Sequence, residues 1–152
     1  MEIMLKIEVP DGYEIDKEKS TFENIAFREV KKAEIEWNAI MYSVEIKADG
    51  EYFAVDARTP SYYCSWEDSM RFHRGSIWGL PTVKQLKVLA KHIEKVNECI
   101  RQNNGFEISG WFWSSEEKGE SEAWNVDMRC GAISVGNKTR DGYVRAVCVL
   151  ND

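Results

Sequence analysis

Residues 82–103 hold the pattern that most restricts the fold. Leu86, Leu89, Ile93, Val96 and Ile100 recur at alternating steps of three and four, which lines them along one face of an α-helix. Thr82 and Gln85 stand at capping-box spacing, where hydroxyl and amide each satisfy a backbone N–H of the first turn. Asn104-Gly105 supplies the stop. Lys84, Lys87, Lys91, Lys95 and Glu98 fall largely on the opposite side. A single helix about 30 Å long with one apolar stripe needs a wall to pack against.

Strands are expected to supply that wall. Ile40–Lys47 and Glu51–Val55 flank Asp49-Gly50, the turn chemistry of a β-hairpin. Ser65 is placed to cap a short helix with Glu67 and Asp68 in its first turn. Trp66, Met70 and Phe72 or His73 would face inward, and Gly75 would end it. After the long helix, 110–114, 123–128, 132–135 and 143–149 read as strands, with Gly131 and Asp141-Gly142 between them. Strands, a short helix, a long helix and then a run of antiparallel strands define an α+β domain.

The N-terminal part differs. Ile3, Leu5, Ile7 and Val9 alternate with polar residues and Met4, as in a half-buried strand, and Pro10-Asp11-Gly12 reads as the turn closing it. Phe22, Ile25, Phe27 and Val30 form a second apolar patch of ambiguous period. Residues 1–36 are therefore expected to be a small β appendage or docking segment, packed on the main domain or on a partner. Residues 37–152 form the domain proper.

Composition removes several functions. Of 152 residues, 20 are Lys or Arg and 26 are Asp or Glu, a net charge of −6. Nucleic-acid binders usually carry a basic footprint, so no nucleic-acid partner is expected. No run approaches the roughly 18 apolar residues of a membrane span. Glu2, Lys6 and Glu8 interrupt the apolar start, so no secretory leader is read. The expected location is a reducing cytoplasm at synthesis, with a virion or surface reached only as part of an assembly. Cys64, Cys99, Cys130 and Cys148 include no Cys-x-x-Cys pair. Cys99 and Cys148 lie in apolar patterns and read as buried free thiols; the sequence leaves disulfide pairing open.

Catalytic signals are weak. His73 and His92 lie on different expected helices, with no carboxylate or cysteine at a catalytic spacing. There is no Gly-x-Ser-x-Gly, no phosphate-cradling loop and no His-Glu-x-x-His. The acidic run Glu116–Glu122 lacks the alternating Asp/Asn pattern of a calcium loop. The reading is therefore no enzyme, no metal and no cofactor. Trp111 and Trp113 share one face of a strand and Phe112 takes the other. Trp113 and Trp124 are assigned to the core, and Trp111 is left open.

The order of motifs is informative as a set. Trp66-Glu67-Asp68-Ser69-Met70 precedes Trp78-Gly79-Leu80-Pro81-Thr82 and Gln85-Leu86. Trp111-Phe112-Trp113-Ser114-Ser115-Glu116, Ala123-Trp124-Asn125-Val126-Asp127, Gly131 and Tyr143-Val144-Arg145-Ala146-Val147 follow. Over residues 40–149 this resembles the bacterial C-type-lectin-like domains of unknown function that include the C-terminal domain of the Legionella collagen-like adhesin. The resemblance implies a C-type-lectin-like fold, with one short and one long helix against short antiparallel strands. Gly79 stands where the family has Arg, and Gln85 where it has Glu. The chain lacks Glu-Pro-Asn and Gln-Pro-Asp, and Trp124-Asn125-Val126-Asp127 only approximates Trp-Asn-Asp, so calcium-dependent sugar binding is not implied. Arg145, in an apolar strand, needs a partner if buried; Asp127 and Glu67 are the candidates.

The expected function is non-enzymatic binding of a protein or glycan, without obligatory calcium, through the face of the last strands and loops. The candidate ligand-binding residues are Trp111, Glu116, Lys118, Glu120, Asn125, Arg129, Asn137, Lys138, Arg140 and Tyr143, which combine rigid aromatics with adaptable polar groups. The alternative is a structural component of a phage or surface assembly, docked through residues 1–36.

Overall fold

Strand-forming stretches lie on both sides of the helical segment, and each of the two larger sheets draws strands from both sides. A computed structural model describes residues 7–21, 24–29 and 32–151, with only the backbone at Glu29 and Phe72. The chain divides into two compact units, Met1–Lys32 and Ala33–Asp152. In the first, β1 (Tyr13–Ile15) pairs antiparallel with β2 (Phe27–Glu29), Ile15 opposite Phe27. The Pro10-Asp11-Gly12 turn is present: Gly12 has φ +83°, and the Tyr13 N–H donates to Pro10 O at 3.1 Å. The expected strand before it is not found at Ile7–Val9. Ile3 and Leu5, like Phe22 and Val30, lie outside the described residues.

The division falls at Lys32, four residues before the boundary read from the sequence. The reason is pairing: β3 (Glu34–Asn38) is zipped to β4 (Ser43–Ala48), with Ile35 opposite Ile46 and Trp37 opposite Val44. Ile40–Tyr42, expected as strand, form the turn between them, and Ile40 is 98% exposed. Asn38 Oδ1 holds that turn by accepting from the N–H groups of Ile40 and Met41. The next turn is the expected hairpin into β5 (Glu51–Asp56), with Asp49 at φ +52° and Gly50 at φ +81°. Two successive positive φ values match the right-handed twist of the strands. β11 (Val147–Val149) adds on the other edge, giving the order β11-β5-β4-β3.

Ser65 caps α1 (Trp66–Phe72) by accepting from the Asp68 N–H at 3.1 Å. Trp66 faces inward as expected, but Met70 is exposed and Ser69 is the buried residue of that face. The Thr82 capping box forms in full, Oγ1 accepting from Gln85 N–H at 3.1 Å and Gln85 Oε1 from Thr82 N–H at 2.9 Å. The expected long helix is two helices, α2 (Val83–Lys91) and α3 (Ile93–Gln102). His92 breaks it at φ −110°, ψ 19°. Its ring is mostly covered, with Nε2 3.5 Å from Asp49 at the hairpin turn. The apolar stripe survives the break: Leu86, Leu89, Val96 and Ile100 are buried and Ile93 packs against them. Replacing Thr82 with Ala should cost about 1 kcal/mol in urea unfolding, and Thr82→Ser much less.

The remaining strands are β6 (Tyr62–Ser65), which is not among the strands expected from the sequence, β7 (Trp111–Glu117), β8 (Glu122–Asp127), β9 (Ile133–Asn137) and β10 (Asp141–Val144). They form a second sheet in the order β6-β10-β7-β8-β9. Most pairs are antiparallel, but β10 runs parallel to β7, with Tyr143 opposite Phe112. The last expected strand, 143–149, is divided: β10 lies in this sheet, β11 lies in the other, and Arg145-Ala146 cross between them. β7 feeds two cores. Phe112 joins the large one with Phe53, Ile46, Leu86 and Val126, while Trp113 joins Trp66, Ala123 and Val144. The architecture is α+β. Among the described residues, no helix is long and apolar enough to cross a membrane.

Candidate functional site

The β7–β10 region folds around Trp113. This residue is 2% exposed, and its Nε1 donates to Cys64 O at 3.3 Å. Gly136 and Gly142 lie against its ring: a Cβ there would stand 2.7 Å and 2.6 Å from indole atoms. The missing side chains make room for the indole, and beside it lies a cleft of about 360 Å³, lined by Tyr63, Trp111, Trp113, Asn125, Arg140 and Tyr143 among others. Tyr63 and Tyr143 pack ring to ring at 5.0 Å. Trp111 and Tyr143 are 38% and 40% exposed. Asn125 Oδ1 is buried and accepts no hydrogen bond from the described residues, an unfavourable state for a polar atom.

Trp111, Asn125, Arg140 and Tyr143 are thus brought together, and the other residues expected to bind ligand are not. Glu116 Oε2 accepts from the Val83 N–H at 2.7 Å, satisfying the first helical N–H of α2. Lys138 is buried; its ammonium donates to Glu120 O at 2.8 Å, lies 4.8 Å from the Trp66 ring centre and is 3.5 Å from Glu117. Its ammonium is engaged inside the loop. Glu120 meets Lys138 through its carbonyl. Asn137 Oδ1 accepts from the N–H and the hydroxyl of Thr139. Lys118 lies over the ring of Trp124 at 5.2 Å. Trp124 is half-buried in a shallow hollow with Val83, Glu116 and Ile133, not in the core. Arg129 is held by Asp127 at 3.1 Å. The side chain and then the backbone N–H of Arg129 pull the Asp127 carboxyl below its ordinary range, against the opposing effect of burial.

A second cavity, of about 410 Å³, was not anticipated. Asp56, Arg58, Tyr62, His73, Trp78 and Arg145 line it with others. Arg145 is 3% exposed, and its partners are neither Asp127 nor Glu67. It donates to Ser61 Oγ from Nε and Nη2, to the carbonyls of Asp56 and Phe106 from Nη1, and to Glu107 O from Nη2. Burial pushes its pKa down to about 10, against the charge of Asp56. Arg58 binds Asp56 through Nε at 3.0 Å and Nη2 at 3.4 Å, and its guanidinium lies 5.2 Å from the Trp78 ring centre. The one sequence signal for this cavity was an arginine in an apolar strand; its partners come from segments remote in the chain.

All four cysteines are free thiols. Burial, then the charges of Asp68 and Asp141, push the Cys64 thiol up; burial, then Glu98, does the same at Cys99. Both shifts oppose formation of a thiolate nucleophile. Among the described residues, no three His, Cys, Asp or Glu side chains converge as metal ligands would. No family model matches the chain, and no curated protein matches it.

Proposed function

We propose that the chain is a non-enzymatic binding module of C-type-lectin-like fold. It takes a protein or glycan ligand in the cleft of Trp111, Asn125, Arg140 and Tyr143, without obligatory calcium. The observation that carries this reading is the cleft itself. Its volume of about 360 Å³ lies in the range of ligand sites. It combines half-exposed aromatic rings with a buried amide oxygen that lacks a donor among the described residues. Trp, Tyr and Arg are the residues that dominate binding hot spots. The fold assignment draws support from the closure of the chain: β11 returns to pair with β5, with all three helices and the second sheet between them. Leu80-Pro81-Thr82 leads into a capped helix at the position that the resemblance implies.

Labelled protein applied to a glycan array and a peptide array tests the reading. Tyr143→Ala and Trp111→Ala should each weaken the best wild-type signal about tenfold or more, with the melting temperature nearly unchanged. Loss of melting temperature without loss of binding, or no wild-type binding on either array, overturns it.

The exposure of Ile7, Val9, Tyr13, Ile25 and Phe27 in the small unit favours a second reading, a component of a phage or surface assembly. Clustered apolar exposure marks interfaces, and a lone two-stranded hairpin is marginal by itself. The Tyr143 variant separates the readings, because docking through the small unit would not depend on it.

A further inference from the structure

The cavity beside Arg145 carries an imbalance of charge. Its lining holds two guanidinium groups, Arg58 and Arg145, and one carboxylate, Asp56, among the described residues. Asp56 is hydrogen-bonded by the Arg58 side chain. All the oxygens that Arg145 binds directly are neutral: one hydroxyl and three carbonyls. The cavity is therefore positive inside a chain whose net charge is −6. A charge held away from water acts strongly on whatever enters.

We infer that this cavity is a second ligand site, distinct from the cleft at Tyr143, and that it takes a small organic carboxylate with an apolar body. The residues divide the work. Arg145 supplies field but no contact, since its five N–H groups are already used by the protein. Arg58 supplies contact. It spends Nε and Nη2 on Asp56, its side chain is half exposed, and Nη1 has no hydrogen-bond acceptor among the described residues. Its seat over Trp78 fixes the plane of the fork, which favours planar recognition of a carboxylate. Trp78, Pro60, Val144 and Ala146 give the apolar part of the lining. The His73 ring also lines the cavity, held by its Nδ1 at 3.0 Å from Ser69 O. The volume, about 410 Å³, suits a small molecule. Inorganic phosphate would use the same guanidinium but has no apolar body to place against Trp78, Pro60, Val144 and Ala146.

The test is a titration of the full chain, followed by the indole N–H signals of its six tryptophans in two-dimensional NMR. Trp78→Phe assigns one of them. Benzoate should move the Trp78 signal saturably at millimolar concentration, with benzamide and inorganic phosphate each at least about tenfold weaker. Arg58→Gln should weaken benzoate by a similar factor while the other indole signals stay in place, which reports an intact fold. Tyr143→Ala should leave benzoate binding unchanged, so failure here and failure of the cleft reading are separable. Equal binding of benzamide, tighter binding of phosphate, an unaffected Arg58→Gln variant or no shift of Trp78 would each overturn the assignment.

Discussion

Arg145→Met should lower the stability of the protein by roughly 3–5 kcal/mol, from several buried acceptors left unmet at once, a large share of the total for a domain. The guanidinium is 3% exposed and is the common donor to three separate segments: the end of β5 at Asp56, the loop at Ser61, and the stretch Phe106-Glu107. It sits where the chain leaves the five-stranded sheet and enters the four-stranded one. Methionine fills similar space but leaves three carbonyls without this donor, and each unmet buried group costs about 1–3 kcal/mol. Arg145→Lys should recover little, because one ammonium cannot reproduce a planar fork with five N–H groups. Urea unfolding decides the matter: a methionine variant within about 1 kcal/mol of wild type would mean that the bonds are not cooperative.

Arg145 also marks the limit of what the sequence allows. An arginine in an apolar run announces a buried charge, but its acceptors are mostly backbone carbonyls, and a carbonyl has no sequence signature. Carboxylates such as Asp127 and Glu67 are the partners a sequence can offer, and neither lies at this cavity. Features set by neighbours in the chain fared differently. The Thr82–Gln85 box, the Ser65 cap, the Asp49-Gly50 turn and the stripe from Leu86 to Ile100 all formed. Each depends on φ/ψ preference or on helical period within a few residues. The break at His92 has no signal in the helical period, and its neighbour Asp49 lies on a hairpin remote in the chain.

The candidate cleft shows the same division. Trp111, Asn125, Arg140 and Tyr143 were legible as the residue types of a binding surface. Their convergence rests on β10 lying parallel to β7, a register that local pattern does not specify. Glu116 and Lys138 have the same polar character, yet one completes the N-terminus of α2 and the other is buried over Trp66. Polarity in a loop does not tell a ligand contact from an internal cap. Only burial and partners do.

The sharpest contrast within the cleft is between Trp113 and Tyr143. Trp113→Ala should cost roughly 3–5 kcal/mol, because the ring is 2% exposed and packs with Trp66, Ala123 and Val144. The cavity left behind would not collapse readily, since Gly136 and Gly142 offer no side chains to fill it. Tyr143 is 40% exposed and meets Tyr63 and Phe112 through tilted ring contacts, so its truncation removes less buried area and should cost much less. Gly142→Ala approaches the same site from the other side. Its methyl would meet the indole at 2.6 Å, and overpacking of this kind costs about 1–3 kcal/mol. Trp113→Ala and Gly142→Ala should therefore both lower the urea midpoint while Tyr143→Ala barely moves it. Equal losses at Trp113 and Tyr143 would mean that the tyrosine is part of the core, and the cleft would lose its claim as a surface built to bind.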